Sequence, residues 1–445
     1  MPPKRAAAKD ATAALPSGHA YADGGDPVAA GSSSPAAPAA KRPKAAKAAK
    51  AAEAPKEQAE KKPKGKVRLR SGWGPHRQPQ SLAAGRSPLF PPSIGTRQAK
   101  DNLVGVTAGA SPHAGPAPPF AEGLHERASL ESFTASIAPR SPGTIKIVSY
   151  NANGLRAVLG DDKPGGRLEV VRAWLQREQP DVLLVQETKM QPPPKGAKDE
   201  DRVRAFFSGL GLPHAAFVHS TAKLGYSGVA AFARSPFLSV RAGVAEPEAD
   251  AEGRVLTIEL DTCFLVNAYV PNSGVEDLAR LEYRSSVFDP KLRELIEALE
   301  TGGASASSLS SSSSSSVPSS ALPGRGKPVV LCGDLNVAFH DLDVHAPSKN
   351  RNKTAGFCDA ERDGFAKLLA SGGGRLRDVY RERNPTLQQF SYWSSRFDCR
   401  GKNKGWRLDY LLISHALADK VIEIDTRATF PVGADHVPIV AVVKL

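Results

Sequence analysis

The chain has 445 residues with a formal charge of +13, 40% hydrophobic and 24% charged residues, 39 Gly and 37 Pro. No run approaches the roughly 18 to 20 consecutive apolar residues that cross a bilayer, so a membrane-spanning helix is excluded and no membrane partner is expected. The four cysteines, Cys263, Cys332, Cys358 and Cys399, form no C-x-x-C pair. They signal neither a zinc site nor a disulfide framework and fit a reducing compartment.

Most of the positive surplus lies before residue 140. Residues 1–142 are rich in Ala, Pro, Gly, Ser and Lys, with few large apolar side chains and no sustained period, and are expected to be a disordered basic tail. The first ten residues carry Lys4, Arg5 and Lys9 without an apolar core, so no secretory signal is expected. Lys41, Arg42, Lys44, Lys47 and Lys50, then Lys61, Lys62, Lys64 and Lys66, read as an address for nuclear import or as clusters attracted to phosphate. A mitochondrial destination is the alternative, against which Asp10, Asp23 and Asp26 count, and a plain solvated tail is the bland reading.

From residue 145 short apolar runs alternate with amphipathic stretches, which predicts one folded domain over 143–445. Strands are predicted at 145–150, 182–186, 215–219, 228–233, 255–260, 263–269, 328–332, 408–413 and 439–444. Helices are predicted at 167–178, stopped by Pro180, and at 281–299 and 361–369. Residues 301–327, a Ser, Gly and Pro run, read as a flexible insertion in a surface loop.

Five polar clusters end or border apolar runs: Ser149 to Gly154, Gln186 to Thr188, Asn267 to Asn272, Gly333 to Asn336, and Gly433 to Pro438 with Asp435 and His436 inside it. Singly, an Asp after a strand is a turn or cap residue, an Asn beside Gly takes a left-handed turn, and a Tyr beside Pro packs. Only Glu187 and the Asp435–His436 pair favour chemistry on their own. Together the clusters supply hard oxygen ligands, an imidazole, a second carboxylate and neutral amide donors. That inventory suits metal-assisted phosphoryl transfer.

Eight strings carry a resemblance in one order: Asn153-Gly154-Leu155-Arg156-Ala157, Leu184-Val185-Gln186-Glu187-Thr188-Lys189, Gly225-Tyr226-Ser227-Gly228-Val229, Asn267-Ala268-Tyr269-Val270-Pro271-Asn272, Arg280-Leu281-Glu282-Tyr283-Arg284, Leu331-Cys332-Gly333-Asp334-Leu335-Asn336, Gly405-Trp406-Arg407-Leu408-Asp409-Tyr410 and Asp435-His436. With them, residues 145–445 resemble apurinic/apyrimidinic (AP) endonucleases of the exonuclease III type, within the endonuclease/exonuclease/phosphatase superfamily. The resemblance implies an α/β fold, a four-layered sandwich with two central mixed sheets flanked by helices. It also implies a monomeric, Mg²⁺-dependent enzyme, with Mn²⁺ as a substitute, that cuts duplex DNA 5′ to an abasic site. The products would be a 3′-hydroxyl and a 5′-deoxyribose phosphate, with 3′-phosphodiesterase or 3′–5′ exonuclease action on blocked 3′ ends.

By the same resemblance Glu187 is the principal metal ligand, supported by Asn151 and Asp435. Asp334 orients or deprotonates water, Asn336 and Asn272 hold the phosphate, and His436, oriented by Asp409, contacts the scissile phosphate or activates water. The choice of base between Asp334 and His436 stays open. Tyr269 donates to the phosphate or to the leaving oxygen. Tyr392, Trp406 and Leu408 match positions around the abasic pocket, whereas Trp393 reads better as core. Among the cations beside these strings, Lys189, Lys223, Arg254, Arg280, Lys402 and Lys404 included, Arg156 and Arg396 are selected with Tyr226 as DNA contacts, and Phe397 shares the duplex-inserting loop with Arg396. Asn153 stands where some relatives have Asp, which removes a charged ligand candidate. Val148 stands where mammalian relatives have a cysteine, so no thiol redox function is expected. The competing readings are another superfamily phosphoesterase, acting on RNA, an inositol phosphate or a lipid, and a non-enzymatic nucleic-acid tether.

Overall fold

The structure, a computed structural model, describes residues 126–445 apart from 275–276, 303–325, 372–375 and 434. Its twelve strands are β1 (Thr144–Asn151), β2 (Val182–Gln186), β3 (His214–Val218), β4 (Val229–Ala233), β5 (Ser239–Ala242), β6 (Val255–Glu259), β7 (Phe264–Tyr269), β8 (Val329–Asp334), β9 (Leu376–Arg377), β10 (Asp409–Ser414), β11 (Val421–Thr426) and β12 (Ile439–Lys444). They form two six-stranded sheets, ordered β11-β12-β1-β2-β4-β3 and β5-β6-β7-β8-β10-β9. Each sheet is antiparallel except for one parallel pair, β1 with β2 and β7 with β8. The mixed sheets follow from runs such as Val182–Gln186, buried at every position as a strand covered on both faces must be.

The two sheets face each other across Ile147, Leu184, Leu256, Leu265, Val330, Leu411 and Ala441. The outer face of the first packs on the helices Arg167–Glu178 and Ala197–Ser208 through Trp174, Leu175, Val203 and Phe207, and that of the second on Asp289–Thr301 and Asp359–Leu369 through Leu292, Ile296 and Phe365. This is the four-layered sandwich expected from the resemblance. The helix Arg167–Glu178 buries Val170, Val171, Trp174 and Leu175, then ends where Gln179 turns left-handed at φ 48°. Emptying the Trp174 site with Ala would cost about 3–5 kcal/mol.

Near one edge the sheets are pinned by polar groups. Gln186 Nε2 donates to Ser149 Oγ at 3.0 Å and to Asn267 Oδ1 at 2.7 Å, while Asn267 Nδ2 donates to the carbonyls of Val185 and Ala230. These side chains are buried, so the amide N–H groups of Gln186 and Asn267 find their acceptors only in this sheet-to-sheet registration.

Several expectations are corrected. The tail was expected to run to residue 142, but the helix Leu130–Ala135 belongs to the folded part: Phe133 meets Phe430 edge-on at 5.4 Å and Ile137 is buried. Two buried side chains, about 1.5–3 kcal/mol each, suffice to tie down so short a segment. Residues 1–125, with the basic clusters, lie outside the described residues. The helix expected at 281–299 is Leu281–Tyr283 followed by a π-turn, Arg284–Phe288, and then Asp289–Thr301. At that turn the guanidinium of Arg284 is buried and donates to the carbonyls of Leu335 and Asn336. Of the predicted 301–327 insertion, Thr301 is helical and 303–325 lie outside the described residues; its ends meet where Lys327 N donates to Leu299 O at 3.1 Å.

Candidate active site

The carboxyl ends of β1, β2, β7 and β8 and the amino ends of the antiparallel β10 and β12 converge on one edge of the sandwich, with Asp409 directly opposite Asp334 and Ile439 opposite Ser149. All five polar clusters therefore meet. Gly333 permits this, since at φ +138° it passes so close to β7 that a Cβ would overlap the Ala268 carbonyl oxygen.

His436 is 4% exposed and sits between two carboxylates, Nδ1 2.9 Å from Asp409 Oδ2 and Nε2 3.7 Å from Asp334 Oδ2. Burial pulls the imidazole down, but Asp409 and Asp334 outweigh it and hold the ring protonated above its ordinary range. Asp409 in turn accepts from Ser391 Oγ at 2.6 Å, and that hydroxyl accepts from Leu408 N and Asp409 N. The Asp334 carboxyl is pushed up by burial, helped by Asp409 and Glu187. Its Oδ1 accepts the Asn336 backbone N–H at 3.0 Å.

Glu187 faces this pair. Burial raises its carboxyl, yet Lys189 Nζ at 2.7 Å and Asn151 Nδ2 at 3.0 Å outweigh that and keep it below the ordinary range. Asn151 bridges, its Nδ2 also donating to Asp334 Oδ2 at 3.0 Å. Its Oδ1 accepts from Asn153 N, which fixes the amide with nitrogen toward the acids. The side chain expected to support a metal, by touching it or through a neighbour, thus donates to Glu187 and Asp334.

A cation fits this donor set. Ligand atoms of Glu187, Asp334 and His436 all lie within 4.8 Å of one another, and while the imidazole stays protonated the two carboxylates are the ligands on offer. Three carboxylates, Glu187, Asp334 and Asp409, face one ammonium and one imidazolium, leaving a surplus of negative charge that oxygen-seeking divalent ions neutralise. Asp435, expected to support the metal, is outside this set; its carboxylate accepts from Asn153 Nδ2 at 3.1 and 3.0 Å. Lys189 Nζ also donates to Asn153 Oδ1, so Asn153 stitches the lysine to Asp435.

Asn272 Nδ2 donates to Asn336 Oδ1 at 3.0 Å, and Asn336 Nδ2 to Val270 O at 2.9 Å. Tyr269 hydrogen-bonds Glu187, and burial with the charges of Glu187 and Asp334 pushes its hydroxyl well above the ordinary value, so it stays a proton donor. Tyr392 tilts over His436 with centroids 4.8 Å apart. Half-buried Trp406 is bridged to Tyr392 and meets Phe357 edge-on, and Leu408 lies beside it behind Gly356. Trp393 is core, 1% exposed with Nε1 donating to Asn403.

Of the side chains expected to contact DNA, Arg156 and Arg396 are on the surface and Tyr226 is half-buried. Arg156 is exposed and pairs loosely with Asp199 at 3.4 Å, Arg396 is exposed, and Phe397 is 85% exposed. Arg254 and Arg280, in contrast, are spent on Glu252 and on the hydroxyl of Tyr226. Sequence reasoning missed Ser391, whose hydroxyl braces Asp409; nothing local marks it, because its partner is 18 residues away. It counted Lys189 only as a DNA cation, although its place two residues after Glu187 brings the ammonium onto that carboxylate.

Residues 148–436 match the Endonuclease/Exonuclease/phosphatase family. Over 297 residues the chain is 37% identical to the DNA repair nuclease APEX1 of Danio rerio, covering 66% of this chain and 81% of the relative. It is 32% identical over 302 residues to an exodeoxyribonuclease of Bacillus subtilis, covering 68% of this chain and all of the relative. The solved AP endonuclease of Leishmania major superposes with a TM-score of 0.53 at 29% identity, covering 72% of this chain and 97% of that one. The family's domain, the fold and the constellation at the sheet edge coincide, and the chain belongs to the endonuclease/exonuclease/phosphatase family, in its exonuclease III-type AP endonuclease branch.

Proposed function

We propose that the chain is an AP endonuclease of base-excision repair that uses Mg²⁺, with Mn²⁺ as a substitute, to hydrolyse the phosphodiester 5′ to an abasic site in duplex DNA. The products are a 3′-hydroxyl and a 5′-deoxyribose phosphate, and blocked 3′ ends are processed as a second activity. The observation that carries this reading is the buried imidazole of His436 clamped between Asp409 and Asp334, opposite Glu187.

Glu187 would hold the cation, which supplies Lewis-acid polarisation of a phosphoryl oxygen. Asp334, made more basic by burial, takes the proton of the attacking water. His436, kept protonated by Asp409, donates from Nε2 to a non-bridging oxygen as charge builds there. Tyr269 offers its proton to the leaving oxygen. Asn272 and Asn336 each spend one amide N–H internally and keep the second for the phosphate. Tyr392, Trp406 and Leu408 wall the pocket for a sugar without a base, while Arg156, Tyr226 and Arg396 hold the flanking duplex. The basic clusters at 41–50 and 61–66 direct the protein to the nucleus and its repair partners.

The test is a duplex bearing one tetrahydrofuran abasic analogue, which cannot undergo β-elimination, so any cut is hydrolytic. The 3′ end produced should prime a polymerase directly. Faster turnover of an inositol phosphate or an RNA, or a 3′ end that blocks extension, contradicts the reading.

A further inference from the structure

Beside the catalytic edge lies a buried cation that the mechanism above does not use. Arg254, 1% exposed, follows the helix Pro247–Glu252 at the start of β6. Its guanidinium is a three-way junction: Nε donates to Glu252 Oε2 at 2.5 Å, Nη1 to the Tyr269 carbonyl at 3.0 Å and Nη2 to the Tyr226 hydroxyl at 2.7 Å. The cation also lies over both rings, 4.7 Å from the centroid of Tyr269 and 5.5 Å from that of Tyr226. Its backbone carbonyl accepts the Tyr269 N–H at 2.8 Å, so one residue grips Tyr269 on both sides of its peptide.

The loop carrying Tyr226 is locked to the same segment. Thr221 N and Ala222 N both donate to Ala251 O, at 2.8 and 3.0 Å. Gly253, at φ +66°, packs so closely that a Cβ would lie 2.6 Å from the His219 carbonyl. Arg280 completes the frame, reaching the Tyr226 hydroxyl at 3.3 Å and Glu252 at 3.1 Å. With two guanidinium donors on its oxygen, the Tyr226 hydroxyl has its own hydrogen left to give outward, to an oxygen such as a phosphate carries.

We propose that Arg254 is a positioning residue that sets Tyr226 and Tyr269 in one frame, so that a backbone phosphate gripped by the Tyr226 hydroxyl fixes the attitude of Tyr269 at the reacting phosphate. The planar, five-donor fork of arginine is what allows one side chain to serve both tyrosines and Glu252, and a lysine cannot span all three. The proposal rests on the reading that this site cleaves DNA.

The experiment is a double-mutant cycle on the full chain, cutting the tetrahydrofuran duplex, with Tyr226→Phe, Arg254→Met and the pair combined. Arg254→Lys and thermal unfolding serve as controls for a merely structural loss. Tyr226→Phe is expected to raise KM and to lower kcat about fivefold or more, because the phosphate no longer fixes Tyr269, and Arg254→Met to lower kcat about tenfold or more by misplacing Tyr269 directly. In the Arg254→Met background the tyrosine change should then cost less than about twofold, the mark of one coupled unit. Arg254→Lys should recover the melting temperature and not the kcat. Additive effects, or an Arg254→Met kcat within about twofold of wild type in a protein that melts normally, would overturn the proposal. If wild type binds the duplex without cutting it, the functional reading fails instead. The same cycle is then read in Kd, where additivity overturns the proposal and non-additivity sustains it.

Discussion

Asp409→Asn isolates the contribution of the carboxylate behind the imidazole. Asp409 is buried and touches His436 Nδ1 at 2.9 Å and Ser391 Oγ at 2.6 Å, so the change leaves the DNA-facing surface alone. Ser391 Oγ and Nδ1 both meet the same oxygen, Oδ2, so an amide with its oxygen there keeps both hydrogen bonds but removes the negative charge that holds the ring protonated. A hydrogen bond to a charged group is worth about 1.5–3 kcal/mol. If all of it is expressed at the phosphoryl oxygen in the transition state, kcat falls roughly tenfold to a hundredfold. Single-turnover cleavage of the tetrahydrofuran duplex reads the rate, and its concentration dependence reads binding. The expected result is a lower maximal rate with half-saturation unchanged within about twofold. A variant as fast as wild type, or one whose loss lies wholly in binding, refutes the idea that Asp409 acts through His436.

Deleting residues 303–325 should leave cleavage unchanged, because the insertion enters at the start of β8 and Asp334 ends that strand five residues later, roughly 15–20 Å away. Asp343 is buried against Arg381 and Arg407; burial raises its carboxyl, but the two guanidinium groups outweigh that and bring it down from 3.8 to about 2. A carboxyl lowered in this way stabilises the fold above its unfolded value of 3.8 and loses that contribution as pH falls toward about 2. The contribution is on the order of 2 kcal/mol. The gap in melting temperature between wild type and Asp343→Asn should therefore be widest above pH 4 and narrow on acidification, and a gap independent of pH contradicts the ion-pair account. Raising salt from 50 to 200 mM should weaken DNA binding by orders of magnitude, and Arg396→Ala should flatten that dependence; a binding constant insensitive to salt removes Arg156 and Arg396 from the interface.

The central strands were legible because β2, β7, β8 and β12 are near-continuous apolar runs, whereas the edges were not. β5, Ser239–Ala242, is half-buried throughout and offers no period. β11 carries a bulge between Val421 and Glu423, which breaks the alternation that would mark a strand. The helix Ala197–Ser208 hides behind its charges, with Glu200, Val203 and Phe207 its buried residues. At the site, the ends of strands could be read from sequence, while their second neighbours could not. Ser391 behind Asp409, the amide orientation of Asn151, and Arg254 between two tyrosines are contacts made by folding, across 18, 36 and 28 residues respectively. The π-turn at Arg284 illustrates the same limit, since the sequence predicts one unbroken helix over 281–299 and the carbonyls of Leu335 and Asn336 that hold the guanidinium at the bulge lie 51 and 52 residues away.

The most direct test of the account is cleavage of the tetrahydrofuran duplex by wild type in Mg²⁺, in EDTA and beside His436→Asn. The account predicts cutting in Mg²⁺, none in EDTA, and a loss of at least about a hundredfold in His436→Asn with DNA binding retained. Cutting that survives EDTA, or a His436→Asn enzyme that keeps its rate, would contradict the claim that Glu187, Asp334 and His436 form the centre of a metal-assisted phosphodiesterase.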